Sequence, residues 1–171
     1  MHLRGPFLVS ATLVVTASLM LAACGGGGGN QHHSAKRPSA SAEPSSGPAA
    51  VAAITANWKK VFNGRASIPS RLALVENGPQ VAAFVEAEAK TTFGQAAAGS
   101  SATVSSVTIT SPSQATVHYE VLLLGAPLLK NQVGTAIYVD GVWKVRILSF
   151  CGLAKLAVTK TGPQLPAVCG S

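Results

Sequence analysis

The spacing of apolar residues changes near residue 100, and that change restricts the chain to a fold that joins helices to a sheet. Upstream, Val51, Ile54, Trp58 and Phe62 recur every three or four positions and share one helical face. Pro48 suits the start of this helix and Asn63-Gly64 its end. A second helix is predicted from about Pro69 to Asn77, with Ile68, Leu72 and Val75 inward and Gly78 at its C-terminus. A third follows Pro79, with Val81, Phe84, Val85, Ala89 and Phe93 on one side and Gly94 as its stop. Downstream, the period becomes two. Thr103 to Thr110 is rich in Val, Thr and Ile and ends in the turn Ser111-Pro112-Ser113. Ala115, Val117, Tyr119, Val121 and Leu123 then alternate with Thr116, His118 and Glu120. Gly125, Ala126 and Pro127 read as a loop before a strand from about Gln132 to Val139. Asp140-Gly141 links that strand to Val142–Phe150 through a strong hairpin signal. The expected fold is α+β: three N-terminal helices packed on a curved, mainly antiparallel four-stranded sheet.

The N-terminus sets an address. Phe7 to Leu21 is an apolar run preceded by Arg4 and His2, too short to span a bilayer comfortably. It ends in Leu21-Ala22-Ala23-Cys24. A peptidase that cuts before a lipid-modified cysteine needs small residues at the scissile bond, an aliphatic one upstream and a thiol just after. Residues 1–23 therefore read as a lipoprotein signal peptide, cleaved between Ala23 and Cys24. Cys24 then carries diacylglycerol, with an N-acyl chain as a further addition. Cleavage leaves 148 of the 171 residues, enough for one domain with a real core.

Residues 24–48 form the next region. Gly, Ser and Pro fill 14 of the 24 positions from Gly25 to Pro48, and no apolar residue larger than alanine appears. Such a stretch buries too little apolar surface to order itself and reads as a tether reaching about 25–30 Å. His32-His33 within it have no third ligand nearby and read as polar spacers. The folded domain is expected over residues 49–171.

From Ala49 onward ten Lys/Arg stand against five Asp/Glu, about +5, and the charges are scattered. A nucleic-acid surface needs a denser basic stripe with interleaved aromatics, so nucleic acid is not expected as a partner. With Cys24 taken by lipid, Cys151 and Cys169 remain, 18 residues apart. An even remainder in an exported chain reads as a disulfide, which for a loop of that order stabilises by roughly 3 kcal/mol.

Two stretches suggest a family. Trp58-Lys59-Lys60-Val61-Phe62-Asn63-Gly64, then Leu74-Val75-Glu76-Asn77-Gly78 and Phe84, resemble the helical half of the low molecular weight antigen family of mycobacterial and related actinobacterial lipoproteins. Asp140-Gly141-Val142-Trp143-Lys144-Val145, then Phe150-Cys151-Gly152-Leu153 and the late Cys169, resemble its C-terminal half. The resemblance covers about residues 49–170. It implies a cone-shaped fold of the nuclear transport factor two superfamily, with helices closing a bent sheet over a cavity. It also implies a lipid-anchored extracytoplasmic protein without an established reaction, and superfamily members that often dimerise through the sheet.

Enzymes of that superfamily aim an acid–base carboxylate into the cone. Glu120 alternates onto the solvent side with His118, Asp140 belongs to the hairpin turn, Glu76 ends a helix, and Glu86 and Glu88 lie on a polar helix face. No position matches a catalytic motif of the superfamily, no strand-to-helix serine elbow is present, and Gly25–Gly29 follows no strand. Catalytic residues, metal ligands and cofactors are therefore not expected beyond the lipid on Cys24. Trp58, Phe62, Phe84, Tyr119 and Trp143 are the aromatic candidates to line a cavity, with Tyr138 beside them. The leading expectation is a non-catalytic binding module at the cell membrane, its partner an apolar small molecule or an envelope protein. The rival is a carrier or isomerase-like enzyme for a small apolar molecule. An open pocket with a buried carboxylate favours the rival; one plugged by Trp58, Phe84 and Trp143 favours the module.

Overall fold

The computed structural model describes residues 42–158 and 162–170. The signal peptide, Cys24 and the tether as far as Ser41, with His32 and His33, lie outside the described residues. Helix α1 (Gly47–Val61) is followed by α2 (Ile68–Leu72), a 3-10 turn (Gly78–Val81), α3 (Ala82–Glu88) and α4 (Thr92–Ala96). Four strands come next: β1 (Ser100–Ser111), β2 (Gln114–Leu123), β3 (Ala126–Val139) and β4 (Val142–Val145). Helix α5 (Ile147–Ala157) and a 3-10 turn (Ala167–Cys169) close the chain. The strands form one antiparallel sheet in the order β1-β2-β3-β4, so the protein is α+β.

The core lies between α1 and the inner face of the sheet. Ala50, Ile54, Trp58 and Val61 of α1 are buried against Ala115, Val117, Tyr119, Ala136, Trp143 and Val145. Trp58, Phe62 and Tyr119 form an aromatic cluster with ring centroids 5.1 to 6.1 Å apart. The Trp58 indole lies so close to β3 that a Cβ on Gly134 would stand 2.7 Å from its ring, so only glycine fits there. Burial pushes the Tyr119 phenol up to about 12. Alternation in β2 follows the expected inward set, with Ala115, Val117, Tyr119 and Val121 buried.

Both later hairpins turn through residues with positive φ, Leu124-Gly125 and Asp140-Gly141. The Asp-Gly turn is the predicted one. In β3, Lys130 and Asn131 stand opposite Glu120 alone between the pairs Tyr119↔Gln132 and Val121↔Leu129, and Asn131 has φ 54°. A bulge of this kind bends its strand. Beyond it the ladder continues through Leu129, Pro127 and Ala126 with a second irregularity at Leu128, so Ala126 and Pro127 belong to a strand and not to the expected loop.

Four further expectations need correction. The segment Val142–Phe150 is not one strand: β4 stops at Val145 and α5 starts at Ile147. The Glu76 carboxylate accepts the Ile147 N–H at 2.9 Å and so caps the new helix. Ile147, Cys151 and Ala154 are then buried at helical spacing. The second helix ends at Leu72, because Leu74–Glu76 turns to pair with β4: Val145 N–H donates to Leu74 O at 2.8 Å and Glu76 N–H to Val145 O at 2.9 Å. That pairing covers the sheet edge. The third helix is broken at Thr91, whose hydroxyl donates to Glu88 O at 2.8 Å while accepting the Gly94 N–H at 3.0 Å. Finally, the folded part begins before residue 49. Glu43 accepts from Trp143 N at 2.8 Å and Asn57 Nδ2 at 2.9 Å, and Trp143 Nε1 donates to Pro44 O at 3.0 Å. Residues 43 and 44 are thus strapped to the β3–β4 hairpin, and Gly47-Pro48 opens α1 rather than ending a tether.

Cys151 and Cys169 are joined, with Cα atoms 5.2 Å apart, and both are buried. The bridge ties α5 to the last 3-10 turn.

Candidate functional site

A cavity of about 650 Å³ opens where α2, α3, α4 and α5 meet the bent end of the sheet. Its size lies within the range of small-molecule sites, about 300–1,000 Å³. The hollow follows from residue size. Gly64, Ala66, Ala89, Gly94, Ala97, Ala98, Ala154 and Ala157 stand in a wall where larger side chains would fill a core. Gly64 also lets two turns approach, since a Cβ there would lie 2.1 Å from Ala97 O. Aliphatic and aromatic groups complete the wall: Ile68 before Arg71, Phe84 and Val85 on α3, Val121 and Leu123 on β2, Leu128 and Leu129 on β3, Phe150, Leu153 and Leu156 on α5.

The lip is apolar as well. Phe93, Leu128 and Leu156 are 47 %, 47 % and 66 % exposed, and all three stand in the cavity wall. Leaving three large apolar side chains in water around one opening is costly for a domain this small, and such clusters mark binding surfaces.

Among the described residues two ionisable groups belong to the wall, Arg71 and Glu88, and both are half-buried. The Arg71 guanidinium donates through Nε to Val61 O at 2.7 Å, closing the C-terminal end of α1. Burial lowers its pKa from the ordinary arginine value, though it stays protonated at neutral pH. The polar Ser100 is turned to the backbone, its hydroxyl donating to Phe62 O at 3.0 Å. Among the described residues no charged side chain is fully buried, and no cluster of three His, Cys, Asp or Glu is placed to hold a metal.

The five aromatic candidates divide. Phe62 and Phe84 stand in the cavity wall; Trp58, Tyr119 and Trp143 are packed inside the core. Tyr138 packs on Trp143 at 5.2 Å between centroids and donates its hydroxyl to Glu43 O. Neither tryptophan plugs the opening. His118 is exposed on the outer face of the sheet, where with Glu120 and Asn131 it borders a polar depression of about 260 Å³. Asp140 occupies the hairpin turn, and Glu76 caps α5. Sequence reasoning missed Arg71, Phe93, Leu128 and Leu156 as wall residues. The available signal was an apolar run, Leu122 to Leu129, too long for a polar turn.

No helix among the described residues is long and apolar enough to cross a membrane. No curated protein and no solved structure matches the chain significantly. A family described as low molecular weight antigen MTB12, C-terminal domain, matches residues 47–161, from the first residue of α1 to just beyond α5 and so around the whole wall of the cavity. The chain belongs to the low molecular weight antigen MTB12 family.

Proposed function

We propose that this protein is a membrane-anchored extracytoplasmic lipoprotein whose domain binds a small apolar molecule without transforming it. The observation that carries the reading is the open, apolar cavity of about 650 Å³ with its exposed apolar lip. In this reading the N-terminal helices and the bulged sheet form a cone-like domain, and the cavity is the mouth of the cone. Diacylglycerol on Cys24 supplies two acyl chains, enough for stable residence at a bilayer. The Gly/Ser/Pro-rich segment after Cys24 is the tether in this reading.

The isomerase-like alternative needs an acid–base carboxylate held inside the cavity and away from water. The carboxylate of the wall, Glu88, is only half-buried. A carrier or binding role asks for less, namely apolar volume and an entrance, and both are present.

Native mass spectrometry of the mature protein from its own membrane tests this. The expected spectrum has an acylated N-terminal cysteine and a retained small molecule that leaves when the chain is unfolded. An unacylated polypeptide without any retained mass would contradict both halves of the proposal.

A further inference from the structure

We propose that the ligand is a single-chain amphiphile with an anionic head, its chain in the apolar cavity and its head on the Arg71 guanidinium. This rests on the reading of the cavity as a binding site and adds the class of its occupant. Three observations support it. Among the described residues Arg71 is the one cation in a mainly apolar wall whose other polar members are Glu88, Gln95 and Ser100. Among the described residues its side chain uses only Nε, on Val61 O at 2.7 Å, so both Nη groups are left without a hydrogen-bond partner. The exposed apolar lip of Phe93, Leu128 and Leu156 suits the passage of an acyl chain.

The bond to Val61 O has a plain structural reading as a helix cap. It also fixes the guanidinium plane, so less side-chain freedom is lost when the fork takes an oxyanion in two parallel hydrogen bonds. Burial lowers the Arg71 pKa from the ordinary arginine value. A half-buried cation without a counter-ion is stabilised by a ligand that brings one. An anion at Arg71 meets some repulsion from Glu88, which shares the wall, so removing that charge strengthens binding.

The test uses membranes containing the full mature chain and two photoreactive probes, a palmitic acid diazirine and the matching hexadecanol diazirine. Labelled peptides are mapped by mass spectrometry. Both probes are expected to label the segments around Phe84–Gly94 and Phe150–Leu156. Unlabelled palmitate should displace label about tenfold better than hexadecanol, the order expected for a charge-assisted, partly exposed pair. Arg71→Gln should erase that advantage while hexadecanol labelling persists, and Glu88→Gln should widen it.

Equal displacement by acid and alcohol in the wild-type chain, or an advantage that survives Arg71→Gln, overturns the anionic head and leaves the apolar site standing. Absence of cavity labelling by either probe overturns the binding reading itself. Should Arg71→Gln lose hexadecanol labelling too, the wild-type ratio and Glu88→Gln decide; an unchanged ratio in Glu88→Gln counts against the proposal. Lysophosphatidic acid as competitor separates the two sources of the head. Competition stronger than that of palmitate assigns a phosphate, and weaker competition a carboxylate.

Discussion

Leu124 sits at φ 51° with its side chain 82 % exposed. An L-residue with a branched side chain pays roughly 1–2 kcal/mol for that backbone conformation relative to the ordinary helical one. Nothing in a leucine announces such a turn, so in the sequence the β2–β3 hairpin reads as a loop, whereas Asp140-Gly141 is a plain hairpin signal. Leu124→Gly should therefore raise the unfolding free energy by about 0.5–1 kcal/mol, seen as a higher urea midpoint with an unchanged slope. A lower midpoint would mean that the packing of Leu124 on Gly99 matters more than its backbone. Arg71 was equally silent in the sequence. A lone arginine in a short helix reads as a solvated charge, and only the fold brings it to Val61 O and into an apolar wall. Glu43 shows the same thing from the other side. In a stretch read as tether, one carboxylate gathers Asn57 and Trp143 and moves the start of the folded part by several residues.

Helix α5 illustrates how far an element depends on partners remote in sequence. Val142 to Leu153 is mainly apolar, interrupted by Lys144, Arg146 and Ser149, and such a run suits a strand or a helix equally. The choice is made 71 residues upstream, where Glu76 supplies the carboxylate that receives Ile147 N–H. Glu76→Ala should cost about 1 kcal/mol and lower the helical signal in circular dichroism, the loss falling on α5. Unchanged stability would assign the start of α5 to its own sequence instead. The broken third helix has a comparable cause. Thr91 ends α3 and caps α4 with one hydroxyl, and the resulting bend brings Phe93 to the lip of the cavity. Period-two strands were legible because alternation is a local property: Ala115 to Val121 needed no distant partner to be placed. Bulges and helix breaks needed the packed structure.

A cavity is a property of the whole molecule, produced where several elements fail to fill a common space. Its wall takes residues from β2 and β3 and from every helix after α1, and small side chains dominate where those elements meet. Single positions of this kind look like ordinary alanines and glycines in a sequence. The aromatic residues that did stand out, Trp58, Tyr119 and Trp143, are those that fill the core. Family membership and the antiparallel sheet were readable from order and spacing along the chain. The hollow was not, because it is defined by what the side chains leave unfilled. Filling it is consequently the most direct test. Val85 faces the cavity from α3 and is half-buried. Val85→Trp inserted into a packed core would cost about 1–3 kcal/mol, but inserted into open apolar volume it should leave stability unchanged or raise it. The decisive measurement is the amount of small molecule retained by the purified mature protein and by its Val85→Trp variant of equal or greater stability. Retention by the wild type and its loss in the variant is the result predicted here. Equal retention in both would mean that whatever the protein binds lies elsewhere.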